Sequence, residues 1–329
     1  MKALFCDIFL LEIPMPQDFG TSNAYLLKTE EGPVLIDTGW ETPEALRKLE
    51  GELGEAHTSL SEIRRILITH AHIDHFGLAA RIKERSNASV ALHRADAEIL
   101  RPRYEEIGRF LLEVGEWLRI HGVPEEELPA LRRSLIGLWR LKHIARPDEL
   151  LEGGERLDLG DIELEVIWTP GHTPGHICFY EPRRKILFSG DHVLPITTPH
   201  VGLPPRFREN PLANFLSSLR KLRDLDVERV LPGHEHPFED LRGRIEELLA
   251  HHEERTRHIM EAVEERPLSA YEIASKIPWM GAPWEKLTPL DRRLSVAETL
   301  SHLEMLAEEG KVERIEKEGR IFFKRGGRR

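Results

Sequence analysis

Residues 69–75 read Thr-His-Ala-His-Ile-Asp-His and directly follow a short apolar stretch that predicts a buried strand. Side chains alternate between the two faces of an extended chain, so His70 and His72 project to the same side and can reach one cation. Asp74 and His75 follow where the chain turns into a helix, which lets them reach a second position nearby. This spacing indicates a metal site far more strongly than a solvated loop.

Three further stretches place a metal-ligating side chain in a Gly or Pro turn after a predicted strand. Residues 169–176 read Thr-Pro-Gly-His-Thr-Pro-Gly-His and contain His172, and a Ser-Gly-Asp-His stretch contains Asp191. A Leu-Pro-Gly-His stretch ends in His234. Each signal is weak alone, because histidines in glycine turns are common on protein surfaces. Their shared position at strand ends predicts that they converge on one site.

Together these stretches resemble the metal motifs of the metallo-β-lactamase superfamily, over roughly residues 1–240. The resemblance implies an α/β fold, a four-layer αββα sandwich with a bound pair of divalent metal ions. Zinc is favoured, with iron or manganese as alternatives, because the ligands are nitrogen and oxygen atoms. Asp37 matches the acid that, in this family, does not bind the metal itself and instead orients one of the metal ligands. The resemblance implies that the first metal is bound by His70, His72 and His172. It implies that the second metal is bound by Asp74, His75 and His234, and that Asp191 bridges the two.

The ligand set also narrows the reaction that the resemblance implies. True metallo-β-lactamases lack the bridging aspartate, so Asp191 argues against antibiotic hydrolysis. Flavodiiron relatives have a glutamate at the position of His72, which argues against oxygen reduction. The pattern is similar to glyoxalase II-type thioesterases and ribonuclease Z-like nucleases, in which a hydroxide bridging the metals attacks carbon or phosphorus. Asp74 is the candidate to take the proton of that hydroxide, and metal ligation alone is its alternative role.

The leading hypothesis is a dinuclear metal-dependent hydrolase that acts on a small ester or thioester. The formal net charge of −11 disfavours a polyanionic partner. An endoribonuclease that holds single-stranded RNA with its C-terminal module and basic tail is the alternative. A non-enzymatic winged-helix interaction protein is the remote alternative, and the completely filled ligand positions argue against it.

The sequence predicts a catalytic domain over 1–240 that contains a helical insertion over about 96–146, interpreted as a lid or a dimer surface. A connecting helix over 241–265 leads to a domain over 266–329. Its helices followed by a hairpin resemble the winged helix of the lactamase-beta-like branch, which includes a mitochondrial single-strand endoribonuclease. From Arg266 onward the sequence contains 13 Lys and Arg and 10 Asp and Glu residues, a net charge of +3. This modest charge favours packing or dimerisation over nucleic-acid binding.

The N-terminus predicts a cytoplasmic protein without a signal peptide, because Asp7 interrupts what would be the apolar stretch. Cys6 and Cys178 form neither a disulfide framework nor a metal-spacing pair. No apolar run is long enough for a membrane helix, and a homodimer is considered as an assembly. Some further side chains are expected to support the site, pack helices or lie on the surface: His176, His192, His200, His236, Tyr104, Phe110, Trp117, Arg292 and Arg293.

Overall fold

The computed structural model describes residues 1–16, 19–134, 141, 143–205, 209–264, 266–279 and 281–326. Within these ranges the chain forms two compact units. The first consists of Met1–Glu105, Leu141–Pro199 and Ser218–Ile245. The second consists of Glu106–Arg140, His200–Ser217 and Glu246–Arg329. Each unit therefore combines segments that are far apart in the sequence.

Two mixed sheets form the centre of the first unit. In the described part of the chain, seven strands form one sheet in sequence order: β1 (Lys2–Ala3), β2 (Ile8–Pro14), β3 (Thr21–Thr29), β4 (Gly32–Ile36), β5 (Arg65–Leu67), β6 (Ser89–His93) and β7 (Glu149–Leu151). Five described strands form the other sheet, which runs from β12 back to β8: β8 (Arg156–Asp158), β9 (Glu163–Trp168), β10 (Ile177–Glu181), β11 (Ile186–Gly190) and β12 (Arg229–Pro232).

The two sheets pack against each other through an apolar core. Leu27 and Ile36 of the first sheet share this core with Val166 and Phe179 of the second. The ring of Tyr25 meets the ring of Phe188 edge-on, with 5.3 Å between centroids. Alternate residues of the same strands, such as Leu26 in β3, are buried on the other face of the first sheet. Both faces of that sheet are covered, as a layered α/β sandwich requires.

Short helices connect the strands of the first unit: α1 (Pro43–Glu55), α2 (Ile73–Phe76), α3 (Ala79–Ser86) and α4 (Arg94–Leu100). The Thr42 side chain caps α1 by accepting a hydrogen bond from the Ala45 N–H at 3.0 Å. A π-helical segment, Arg101–Glu105, continues α4 without a break. The bounds of α7 are Pro211–Arg223 and those of α8 are Leu241–Ala262, and each contributes residues to both units.

The second unit contains α5 (Ile107–Ile120), α6 (Leu128–Arg133), α9 (Ala270–Ala274), α10 (Pro289–Glu308) and a hairpin of β13 (Val312–Lys317) and β14 (Arg320–Arg325). Val114 and Leu118 of α5 share a core with Leu300 and Leu303 of α10. The predicted capping box of Ser269 and Glu272 is confirmed at the start of α9. Among the helices that are described, none is long and apolar enough to span a bilayer.

The predicted α/β class with two layered sheets is confirmed. The predicted helices and hairpin of the C-terminal segment are present, and their assignment to the winged-helix class stays a prediction. The two compact units divide the chain differently from the predicted boundaries, because the helices that follow residue 106 and the C-terminal helices share one core. Residues 135–140 and 142 of the predicted insertion, residue 265 of the predicted connecting helix and residues 327–329 of the basic tail lie outside the described residues.

Candidate metal centre

Strand ends place the predicted ligands at one edge of the first unit. The stretch of residues 69–75 follows the end of β5, and Asp191 follows the end of β11. Since β11 and β12 are parallel, His234 after β12 emerges beside Asp191. The turn between β9 and β10 reaches the same edge, because β10 is antiparallel to both β9 and β11. This turn contains His172.

All seven predicted ligands come together in two groups. In each group, one ligand atom per residue lies within 4.8 Å of all the others. Asp191 belongs to the first group and also contacts the second, because its Oδ1 lies 3.3 Å from Nε2 of His75. Its Oδ2 lies 3.6 Å from Nε2 of His172 and 3.5 Å from Nε2 of His234. The groups are His70, His72, His172 and Asp191, and Asp74, His75 and His234.

Imidazole nitrogens face one another in the first group. Nδ1 of His72 lies 3.0 Å from Nε2 of His70 and 2.9 Å from Nε2 of His172. Burial and nearby positive groups lower the pKa of His70 and His72 well below 6.5. Which nitrogen donates in these contacts depends on the tautomers, and the same three nitrogens offer lone pairs to a metal ion when they are deprotonated. A tetrahedral ion with metal–nitrogen bonds of about 2.0–2.1 Å holds its ligand nitrogens roughly 3.3 Å apart, close to these distances.

Carboxylates dominate the electrostatics of the second group. Oδ2 of Asp74 lies 3.2 Å from Nε2 of His234 and 3.6 Å from Nε2 of His75. Burial opposes protonation of both histidines, but the carboxylates outweigh it and raise the pKa of His75 to about 10 and that of His234 well above 6.5. Oδ1 of Asp191 is buried without a hydrogen-bond partner in the described part of the chain. The site therefore attracts positive charge, and its donors fit divalent metal ions.

Comparisons with known proteins agree with this geometry. A model of the metallo-beta-lactamase superfamily matches residues 18–234. The chain belongs to the metallo-β-lactamase superfamily. It is 32% identical to the human acyl-coenzyme A thioesterase MBLAC2, over 72% of this chain and 81% of that protein. It is 26% identical to the probable metallo-hydrolase YqjP of Bacillus subtilis, over 97% of this chain and 98% of that protein.

A solved structure of similar architecture comes from Thermus thermophilus, where it is described as a metallo-beta-lactamase family protein. The TM-score is 0.82 at 34% identity, covering 98% of this chain and 100% of that one. The superfamily match and these relatives identify the chain as a metal-dependent hydrolase. Its metal-binding residues are to be sought in the His and Asp groups at the strand ends.

Asp37 of this hydrolase lies behind the second group, where the sequence predicts an orienting acid. Its Oδ2 lies 2.8 Å from Nδ1 of His75, so that Nε2 of His75 faces the other ligands. Asp37 also accepts hydrogen bonds from the N–H and the hydroxyl of Thr69, at 2.8 and 2.7 Å. Its backbone is left-handed, with φ of 58°. This uncommon conformation for a non-glycine residue lies at a functional position, as such outliers often do.

Sequence reasoning missed Asp96 and assigned Tyr104 to helix packing, whereas His176 was expected to support the site or lie on the surface. The structure buries His176 completely, and its Nε2 accepts a hydrogen bond from the N–H of Asp191 at 3.1 Å. The Tyr104 hydroxyl donates to the carbonyl of Ala71 at 2.7 Å. Asp96 accepts hydrogen bonds from both histidine-bearing loops of the first group. The available signal was an acid in the first turn of a helix directly after a buried strand, which also fits an ordinary helix start.

The other histidines that lie close in sequence to the ligand motifs differ in burial and in the unit to which they belong. His192 is buried within the first unit, and His236 is exposed. His200 belongs to the second unit, where its Nδ1 lies 3.7 Å from Oε2 of Glu298. Phe110 and Trp117 pack in the core of the second unit, as the sequence predicts. The His192 ring lies 5.5 Å from the ring of His176, between centroids, so of these three histidines His192 lies beside the residues that support Asp191.

Proposed function

We propose that this hydrolase is a dinuclear enzyme that cleaves a small thioester or ester, with a thioester favoured. The observation that carries the proposal is the position of Asp191, whose carboxylate contacts histidines of both ligand groups. A single-metal site would not require a carboxylate between two separate sets of ligands. The similarity to a protein named as an acyl-coenzyme A thioesterase supports an acyl thioester as the substrate class.

The proposed ligands are those at the strand ends. His70, His72 and His172 would hold one divalent ion, and the group of Asp74 would hold the other, with Asp191 shared. Zinc is the favoured metal, and iron or manganese are alternatives. Two such ions, when bound, supply Lewis acidity for the acyl oxygen and make water nucleophilic at neutral pH.

Asp74 is the residue proposed to handle the proton. Thioester hydrolysis forms a bond between the water oxygen and the acyl carbon and breaks the carbon–sulfur bond. One proton must leave the water, and one must reach the departing thiolate. The Asp74 carboxylate is half-buried among the ligands, 3.2 Å from Nε2 of His234. It can therefore accept that proton and return it, in addition to acting as a ligand.

Thiol release from acyl-CoA substrates tests this proposal. The protein is stripped with a chelator, reloaded with zinc or manganese, and assayed against acyl thioesters, simple esters and single-stranded RNA. We expect thioester cleavage that is lost after stripping, restored by metal, and associated with close to two bound metal equivalents. Fewer than one equivalent after reloading would contradict the dinuclear site. Cleavage of RNA without cleavage of thioesters would contradict the substrate class.

A further inference from the structure

Asp96 lies in the first turn of α4 and is fully buried. Its Oδ2 accepts hydrogen bonds from the N–H of Ala71 at 2.7 Å and from the hydroxyl of Thr173 at 2.8 Å. Its Oδ1 accepts a hydrogen bond from the N–H of Gly175 at 2.7 Å. Both carboxylate oxygens are thus used by main-chain and side-chain donors of other loops.

These donors belong to the two loops that bear the first ligand group. Ala71 lies between His70 and His72, and Thr173 directly follows His172. One carboxylate therefore ties together loops that are about a hundred residues apart in sequence. Its donors are therefore next to the histidines whose imidazoles face one another in this group.

Gly175 makes the close approach of this carboxylate possible. A Cβ atom at Gly175 would lie 2.5 Å from the backbone N of Asp96 and 2.8 Å from its Cγ. A Cβ atom does not approach non-bonded atoms this closely in folded proteins, so an alanine there would displace α4 or the loop. The glycine of the second Pro-Gly pair thus has a packing role that its sequence motif did not show.

Tyr104 holds the other main-chain polar group of Ala71. Its buried hydroxyl donates to the carbonyl of Ala71, while Asp96 accepts from the N–H of Ala71. Tyr104 lies in the π-helical segment that continues α4. Both polar groups of the residue between the two histidines are therefore fixed by side chains of one continuous helical stretch. π-Helical turns frequently occur at functional sites, where they redirect a side chain.

We propose that Asp96 is a positioning residue that sets the spacing of His70, His72 and His172 for metal binding. Tyr104 supports this role by holding the carbonyl of Ala71. This inference rests on the proposed metal-binding function of the site. Metal ligands must be held within a fraction of an ångström, and the groups that hold them are part of the site's affinity. Asp96 touches neither the substrate nor, on this geometry, a metal, so it acts through the loops.

The test compares metal binding by full-length variants. Asp96→Asn replaces one acceptor oxygen with an NH₂ group, which must then face a donor N–H or hydroxyl. Thr173→Val removes one donor at nearly constant volume, and Thr173→Ser restores the hydroxyl. Zinc affinity is measured by competition with a chromophoric chelator, and the site geometry is followed by the visible absorption of the Co²⁺-loaded protein.

Glu181→Gln is the matched control. Glu181 is also a buried carboxylate that accepts main-chain N–H groups, those of Arg183 at 3.2 Å and Arg184 at 2.8 Å. It lies at the end of β10 opposite the turn that contains His172. This variant weakens those main-chain contacts and the ion pair of Glu181 Oε2 with Arg184 Nε at 3.1 Å, all away from the ligands, so it reports the effect of general destabilisation on metal binding.

We expect Asp96→Asn to weaken zinc binding by about 10–100-fold and to change the Co²⁺ spectrum. Thr173→Val should produce a smaller shift that Thr173→Ser reverses, and Glu181→Gln should stay within about threefold of the wild-type affinity. If Asp96→Asn does not fold, the Thr173 pair alone decides. Wild-type affinity and spectrum in both Asp96→Asn and Thr173→Val would overturn the inference. A wild-type protein that binds no zinc or cobalt would instead overturn the proposed function.

Discussion

Each unit of the hydrolase buries a group of histidines, but the two groups differ in charge and in partners. In the first unit the histidines face carboxylates, and the ion-pair partners of Asp191 among the described residues are all histidines. In the second unit His252 and His302 are nearly or fully buried, with His252 Nδ1 3.4 Å from His302 Nε2. Nδ1 of His302 in turn lies 2.9 Å from the Thr256 hydroxyl.

In the second unit the carboxylate near these histidines, that of Glu298, is paired with an arginine. Oε1 of Glu298 lies 3.4 Å from Nε of Arg255. Burial favours the neutral form of Glu298, but His200, His252 and Arg255 outweigh it and lower its pKa to about 2. Burial in turn lowers the pKa of His252 to about 4 and that of His302 to about 3. These histidines are neutral packing residues beside a compensated ion pair.

This difference shows what distinguishes a metal site from a histidine-rich core. Burial and imidazole contacts are common to both groups. Among the described residues of the two groups, only the first combines converging nitrogens with carboxylates whose ion-pair partners are all histidines, and a bound cation can take the place of the protons on those histidines. Substitutions in the two groups should therefore have very different consequences.

The largest expected effect is on catalysis. His72→Ala should lower the rate of thioester hydrolysis by on the order of a thousandfold or more, because the ligand group loses the nitrogen that faces both others. Asp191→Ala should reduce metal content at both positions, since its carboxylate contacts both groups. Steady-state kinetics and elemental analysis of the same preparations measure the two effects.

The matched substitution in the second unit is His302→Gln, which keeps hydrogen-bonding groups near Thr256. It should retain wild-type metal content and turnover. A His72→Ala protein with wild-type turnover would refute the assigned site. Loss of only one metal from Asp191→Ala would show that Asp191 is a terminal ligand and not a bridge.

A smaller effect concerns the pH dependence of stability. His252 and His302 have folded-state pKa values of about 4 and about 3, below the usual 6.5. The unfolded chain takes up protons below about pH 6.5 while the folded unit does not, so stability present above that pH is lost as the pH falls. Between pH 7 and 5 the loss should be on the order of 2 kcal/mol for each histidine. Urea unfolding across this range measures it.

His302→Gln separates this contribution from that of the metal centre. Glutamine does not titrate, so the variant should lose less stability between pH 7 and 5 than the wild type does, by on the order of 2 kcal/mol. The comparison is made with metal-loaded protein at each pH, so that the ligand histidines stay in one state. An unchanged pH dependence in the variant would contradict the description of His302 as a buried neutral residue.

The clustering of the proposed ligands could be predicted because each of these residues is marked by local sequence. A histidine or aspartate in a Gly or Pro turn after an apolar strand has a defined place at the edge of a sheet, whatever surrounds it. His172 and His234 are examples, since strand ends alone bring them together. The same holds for the C-terminal hairpin, which has a turn and two alternating strands in one stretch.

Asp96 and Tyr104 could not be found in that way. Their roles depend on contacts with the main chain of Ala71, which lies 25 residues before Asp96 and 33 residues before Tyr104. They also depend on a π-helical segment that no periodicity in the sequence indicated. The segments that make up the second unit are also far apart in the sequence, because α5 shares a core with residues such as Leu303. An amphipathic helix shows that it has an apolar face, and the sequence does not say which segment covers that face.

The smallest expected effect concerns the C-terminal segment and RNA. Arg292, at the start of α10, resembles a residue that a winged helix could offer to nucleic acid, but its guanidinium is engaged inside the second unit. Nη1 donates to Oε2 of Glu127 at 3.2 Å, and Nε and Nη2 donate to the carbonyls of Trp284 and Glu285 at 3.2 and 3.1 Å. We therefore infer a packing role for Arg292.

Arg292→Ala should lower the free energy of unfolding by about 1–2 kcal/mol, because these hydrogen bonds are lost. It should leave RNA affinity weak and unchanged within about twofold, as should Arg320→Ala, which removes an exposed charge at the hairpin turn without removing packing. Filter binding across a salt series measures affinity, and urea unfolding measures stability. A lost phosphate contact would instead lower the salt slope by roughly 0.7 for single-stranded RNA. Tight binding with a steep slope that either variant reduces would make the ribonuclease hypothesis the leading one, since the second unit would then present its charges to phosphates.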